Sequence, residues 1–206
     1  MLAGAMCGIA GILPDRDVDP LQLKQWVRTM CDIIVHRGPD DEGIFVADGI
    51  ALGMRRLAII DVEKGRQPMY SDDGRYTIVF NGEIYNYLTL RADLARNGAH
   101  FSTDCDTEVV LRAFEDWRIE GIKRLEGMFA VAIWDRDERR LTIARDWLGQ
   151  KSIYGTRCAF GWAFASEIKA LLALPGVDRK LDVMAMSHYM SMRCLPGDAT
   201  FFEGIK

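Results

Sequence analysis

Residues 128–135 read MFAVAIWD, an almost unbroken apolar run. A strand with one wet face alternates apolar and polar residues, so a run without alternation marks a strand covered on both faces. The run is too short to cross a membrane, and no apolar stretch in the chain approaches the roughly 18 residues that crossing needs. The fold must lay material on both sides of at least one sheet.

The rest of the chain supplies that material. CGIAGIL (7–13) predicts a first strand, closed by Pro14 and nearby aspartates. From Asp19 to His36, Leu21, Leu23, Val27, Met30, Ile33 and Ile34 fall mostly on one helical face, and Pro20 suits a first turn. HRGPDDEG (36–43) predicts a loop, from Gly38, Pro39 and Gly43. IFVAD, IALGM and LAIID predict short strands, the first two joined at Asp48-Gly49. SDDGR predicts a turn ahead of YTIVFNGEIYN, a strand that runs into polar residues. Helices are predicted over 87–98, stopped by Gly98, and over 103–117, opened by capping residues. RRLTIARD and GWAFAS predict further strands, and EIKALLAL and LDVMAMSHYM further helices. This order predicts an α+β fold rather than a doubly wound parallel sheet. Two facing sheets with helices outside would bury the continuous strands.

Composition narrows the function. The 206 residues suit one domain. A net charge of -4 with no basic block gives no electrostatic footprint for nucleic acid. The N-terminus lacks the basic start and long apolar core of a secretory signal. The five cysteines are odd in number and form no CxxC pair. That argues against a disulfide framework and a zinc site, and fits a reducing, cytoplasmic setting. No metal is expected. A site from His36, Asp40 and Asp41 is the conceivable exception.

Four features are candidates for chemistry. Cys7 follows Met6 directly. It is either a buried structural thiol or a nucleophile. A nucleophile needs a base, and the sequence offers no side-chain partner. An α-amino group, with a pKa near 8, would serve if Cys7 were the first residue. Arg56, in MRRLAIID, is either solvent-facing or a bidentate ligand for a carboxylate. Its neighbour Arg55 points to the opposite face of a strand, so only one of the two faces inward. Asn81-Gly82 is either a plain turn or a pair of donors for an oxyanion. Asp106 either caps a helix, in competition with Asp104, or binds a substrate ammonium.

Taken in order, MCGIAGI, HRGPDDEG, RRLAIID, QPMY, VFNGEIYNY, CDTEVVL, RLEGMFAVAIWD, ARDWLGQK and FASEIKALL resemble one family. It is the glutaminase half, a class II glutamine amidotransferase domain, of glutamine-dependent asparagine synthetases. The resemblance runs from Met6 to Lys206. It implies a four-layer αββα sandwich of two antiparallel sheets, of the N-terminal nucleophile hydrolase type. It implies that Cys7 attacks the side-chain amide of L-glutamine with its own amine as proton shuttle, forming a thioester. Arg56 would hold the glutamine carboxylate. Asn81 and Gly82 would form the oxyanion hole. Glu83 and Asp106 would hold the amino end. The stretch from Leu57 through Ile59 and Ile60 would line the pocket. The glutaminase domain needs no cofactor. ATP and Mg2+ are implied for a synthetase domain, in cis or in trans, that makes asparagine from aspartate. A homodimer is implied for the full-length protein.

The sequence departs from the family in three places. No Gly-rich "SGG"-type loop for pyrophosphate is present, so residues 7–206 correspond to a nearly complete amidotransferase domain without its synthetase domain. DWLGQKSIY stands where DRLGIKPLYY is usual, changed at Trp147, Gln150 and Ser152, which allows a different acceptor, such as one in an envelope or polysaccharide pathway. Residues 1–6 precede the cysteine and are expected to be removed, with Met6 as the true start or with loss of a short propeptide. An unprocessed chain would be a silent interaction module that docks to a synthetase.

Overall fold

The computed structural model describes residues 6–47, 49–57 and 65–206. Strand β1 (Gly8–Pro14) is followed by α1 (Pro20–Ile33), whose first turn is held by Asp19 accepting from the Leu21 amide. The hairpin β2 (Asp41–Ala47) and β3 (Ile50–Arg56) comes next, then the short β4 (Met69–Tyr70) and the long β5 (Tyr76–Ile84). Helices α2 (Tyr87–Arg96), α3 (Asp106–Trp117) and α4 (Ile119–Lys123) intervene before β6 (Gly127–Asp135) and β7 (Arg140–Arg145). The hairpin β8 (Tyr154–Cys158) and β9 (Gly161–Ala165) precedes α5 (Ile168–Leu172) and α6 (Val183–Met192).

The strands form two antiparallel sheets, ordered β2-β3-β1-β9-β8 and β4-β5-β6-β7. Alternation along each strand sends side chains to two different cores. On β6, Phe129, Val131 and Ile133 pack with Leu94 of α2 and Val110 of α3. Ala130, Ala132 and Trp134 pack against Ile9, Leu52 and Met54 of the other sheet. The unbroken run thus faces a helical layer on one side and a sheet on the other. On the far side of the first sheet, Leu23, Val27 and Met30 of α1 and Leu171 of α5 meet Ala10 and Ile12. The result is the expected α+β sandwich of helices, sheet, sheet and helices.

Some boundaries differ from the sequence reading. The loop expected at 36–43 is shorter, because Asp41, Glu42 and Gly43 pair with Arg56, Arg55 and Met54. Gly43 is not a turn residue. A Cβ there would lie 1.8 Å from the Gln67 carbonyl oxygen, so the glycine permits close backbone approach. The helix expected to reach His36 ends at Ile33. β4, β8 and α4 were not expected from sequence patterning. The strand expected at LAIID lies largely outside the described residues, and Leu57, which is described, is not in a strand.

Candidate active site

A pocket of about 330 Å³ opens at the ends of β1, β3 and β5, lined by Cys7, Arg56, Leu57, Asn81, Gly82, Glu83, Asp106 and Lys151 among others. Strand parity explains the convergence. On β3, Ile50, Leu52 and Met54 point between the sheets, so Arg56 continues that face and lies buried at the pocket. Arg55 takes the other face. There it donates to the Cys31 carbonyl and pairs with Asp32 and Glu42. On β5, Val79 points between the sheets, and Asn81, two residues on, does the same.

Cys7 stands just ahead of β1. Its Sγ accepts from the Leu57 amide at 3.4 Å. Burial pushes the thiol pKa up, while the Leu57 N–H, Arg56 and Lys151 pull it back toward the thiolate. Cys31, buried under α1, is pushed up to about 12 and is chemically inert by comparison. Arg37 gives HRGPDDEG its structural job. Its Nε donates to the Cys7 carbonyl at 3.0 Å, and its Nη1 pairs with Glu167 at 3.0 Å. Glu167 also accepts from His36 at 2.8 Å and pairs with Lys169. Ser166 Oγ accepts from the Ile9 amide at 3.0 Å, and the Ser166 amide donates to Ile9 O at 2.9 Å. The start of β1 is therefore held from behind on both sides.

Asn81 is 1% exposed, and its Nδ2 has no hydrogen-bond partner among the described residues. An unsatisfied buried amide costs roughly 1–3 kcal/mol, so its survival on a pocket wall points to a ligand atom. Beside it, Gly82 has no room for a side chain: a Cβ would lie 2.3 Å from the Met128 carbonyl oxygen. Asp106 does not act as the N-cap of α3, whose N-cap residue is Cys105. Its Oδ2 accepts from the Ile84 amide at 3.0 Å, which ties the helix start to the end of β5. Burial raises its pKa, opposed by the Ile84 and Thr107 amides. Asp104 lies outward, beside Arg91 at 3.4 Å.

The sequence-based candidates Cys7, Arg56, Leu57, Asn81, Gly82, Glu83 and Asp106 thus share one pocket. Ile59 and Ile60 lie outside the described residues. Gln67, Thr107 and Lys151 also line the pocket and were not singled out. Gln67 accepts from the Phe80 amide at 2.6 Å and donates to Thr107 Oγ1 at 3.3 Å, bracing the wall. QPMY and DWLGQK held two of these residues in view, but nothing local gives their side chains a destination. His36, once conceivable as a metal ligand, is engaged with Glu167. No group of three or more His, Cys, Asp or Glu residues is placed to hold a metal among the described residues.

The sequence pattern of the glutamine amidotransferase domain family matches residues 6–206. The chain belongs to that family. The family is one of enzymes, and within it the sequence is similar to glutamine-hydrolysing asparagine synthetases. It is 40% identical over 202 residues to asparagine synthetase [glutamine-hydrolyzing] 1 of Bacillus subtilis, covering 98% of this chain and 32% of that protein. It is 36% identical over 168 residues to asparagine synthetase B of Escherichia coli, covering 81% of this chain and 30% of that protein. The chain therefore spans about a third of the length of these curated relatives. Among solved structures, the amidotransferase domain resembles the glutamine phosphoribosylpyrophosphate amidotransferase of B. subtilis, with a TM-score of 0.67 at 20% identity. That match covers 81% of this chain and 43% of the other. It establishes a shared fold.

Proposed function

We propose that this domain hydrolyses the side-chain amide of L-glutamine, with Cys7 as nucleophile, and passes the ammonia to an ATP-dependent synthetase that makes asparagine from aspartate. The reading rests on one observation above the others: the buried Asn81 amide, without a hydrogen-bond partner among the described residues, on the wall of the pocket that holds the Cys7 thiol.

Loss of residues 1–6 frees the Cys7 amine. The amine takes the thiol proton as Sγ attacks the glutamine side-chain carbonyl carbon. Charge builds on the carbonyl oxygen, where Asn81 Nδ2 and the Gly82 N–H donate. The tetrahedral intermediate collapses, the C–N bond breaks, and the amine returns its proton to the departing ammonia. Water then cleaves the thioester to glutamate and restores the thiol. Arg56 holds the α-carboxylate, and Glu83 and Asp106 hold the α-ammonium. Leu57 lines the pocket beside the methylenes. The synthetase lies on the rest of a longer protein or on a separate partner, and ATP and Mg2+ belong to it.

Intact mass together with glutamine-dependent ammonia release tests the reading. A mature chain beginning at Cys7 that releases ammonia, and loses that release on Cys7→Ser, is the expected outcome. Retention of residues 1–6 in the natural protein without ammonia release would leave only an interaction module.

A further inference from the structure

Among the described residues of the pocket wall, Lys151 is a cation for which the mechanism above has no use. It is 5% exposed. Its position is set from behind by Asp146, whose carboxylate accepts from the amides of Phe129, Leu148, Gln150 and Lys151 at 2.9–3.2 Å. The DWLGQK turn is therefore folded around one buried carboxylate and fastened to β6. Lys151 leaves that turn and enters the pocket beside Cys7.

Its Nζ lies 2.8 Å from Met6 Sδ, and among the described residues it has no other hydrogen-bond partner. A thioether is a weak acceptor, a poor companion for a buried ammonium. Burial lowers the pKa of Lys151, with Glu83 acting the other way. Met6 is also the residue that departs when Cys7 becomes the N-terminus. Its departure uncovers the ammonium in the pocket that holds Cys7.

Resting on the glutaminase reading, we propose that Lys151 is a positioning residue for the nucleophile. Its positive charge disfavours the protonated Cys7 amine and favours the thiolate, leaving the amine a free base at neutral pH. Other charges face the same atoms. From β3, Arg56 acts on the thiol in the same sense as Lys151; from β5, Glu83 acts on the Lys151 ammonium itself. Arg37, after α1, sits on the Cys7 carbonyl with Glu167 behind it. Asp146 is engaged by its four amides. Because amine and thiol titrate together, the effect belongs to the pair.

The test uses the full-length protein beginning at Cys7, verified by intact mass, with Lys151→Met and Lys151→Arg variants. Two profiles against pH are measured: alkylation of Cys7 by iodoacetamide without glutamine, and kcat/KM for glutamine. Lys151→Met should move the acidic limb of both upward by about one pH unit, a roughly tenfold loss of rate on that limb. Lys151→Arg should keep the wild-type limb. Unmoved limbs in Lys151→Met, or a Lys151→Arg as displaced as Lys151→Met, overturn the proposal. If Lys151→Met does not fold, Lys151→Gln is judged by the same criteria. Alkylation needs no glutamine, so the two readings fail separately. A Lys151-dependent thiol in a protein that releases no ammonia refutes the glutaminase. Ammonia release with Lys151-independent profiles refutes only the role of Lys151.

Discussion

The β5–β6 ladder carries a buried polar side chain toward each end, and the two are treated in opposite ways. At one end Tyr76 stands opposite Asp135, and toward the other Asn81 stands opposite Ala130. Asp135 is 3% exposed and Asn81 1%. Asp135 accepts from Arg75 at 3.0 and 2.9 Å, from Arg118 at 3.1 Å, and from the amides of Asp137 and Glu138. Burial works against its charge, yet these partners outweigh it and hold its pKa below the usual carboxylate range. The Asn81 amide donor has no hydrogen-bond partner among the described residues. A fully satisfied buried group stabilises the fold. A buried donor left unsatisfied is a standing cost, repaid only when a ligand arrives. The same pair of strands is a structural clamp at one end and one wall of the pocket at the other.

Substitutions at the two ends should therefore separate stability from activity. The largest effect belongs to Asp135→Ala, which leaves the Arg75 and Arg118 charges without their buried partner. Stability should fall by about 3–5 kcal/mol in urea unfolding. Any variant that remains folded should keep the KM for glutamine. Asn81→Ala should do the reverse. Loss of one oxyanion donor lowers kcat by about 10²–10³-fold, while the melting temperature stays level or rises. A large stability loss in Asn81→Ala would break the comparison, because it would mean the amide is already satisfied.

Arg56→Ala comes next. Removing a charged contact to the substrate carboxylate, worth about 1.5–3 kcal/mol, should raise the KM for glutamine roughly 10–100-fold with a smaller change in kcat. An unchanged KM would remove Arg56 from the carboxylate role. Arg55→Ala, one residue away on the opposite face, should leave KM alone and cost only stability.

The smallest effect is expected at Asp146, a satisfied carboxylate in the service of the site. Burial opposes its charge, but four amides hold its pKa below the ordinary 3.8. Its contribution is present above that value and is lost as pH falls through the depressed native pKa. The destabilisation by Asp146→Asn, read from urea midpoints, should accordingly be greatest at neutral pH and shrink as the pH drops below 3.8. A pH-independent deficit would place its effect in shape rather than charge.

Much of this was legible in the chain. Periodicity located β1, β5, β6, α1 and α3, because each is long enough for its buried face to leave a pattern. It missed β4, which has two residues, and β8, a five-residue strand, YGTRC, without alternation. Gly43 looked like a turn because a glycine's reason for being there is written in its neighbour across space, here the Gln67 carbonyl. Residue chemistry marked Cys7, Arg56, Asn81 and Asp106 as candidates, each with a plausible ordinary role beside it. Only the order of many motifs together tipped those choices.

The sequence by itself determined the layers, the family and the types of group available for catalysis, because these follow from local periodicity and from side-chain chemistry. The tertiary structure decided which of two adjacent arginines faces the pocket, that Asn81 looks across to Cys7 from the other sheet, and that Arg37 grips the Cys7 carbonyl. It alone brought Gln67 and Lys151 to the site. Those facts depend on strand parity and on how two sheets are stacked, and no stretch of a few residues carries that information.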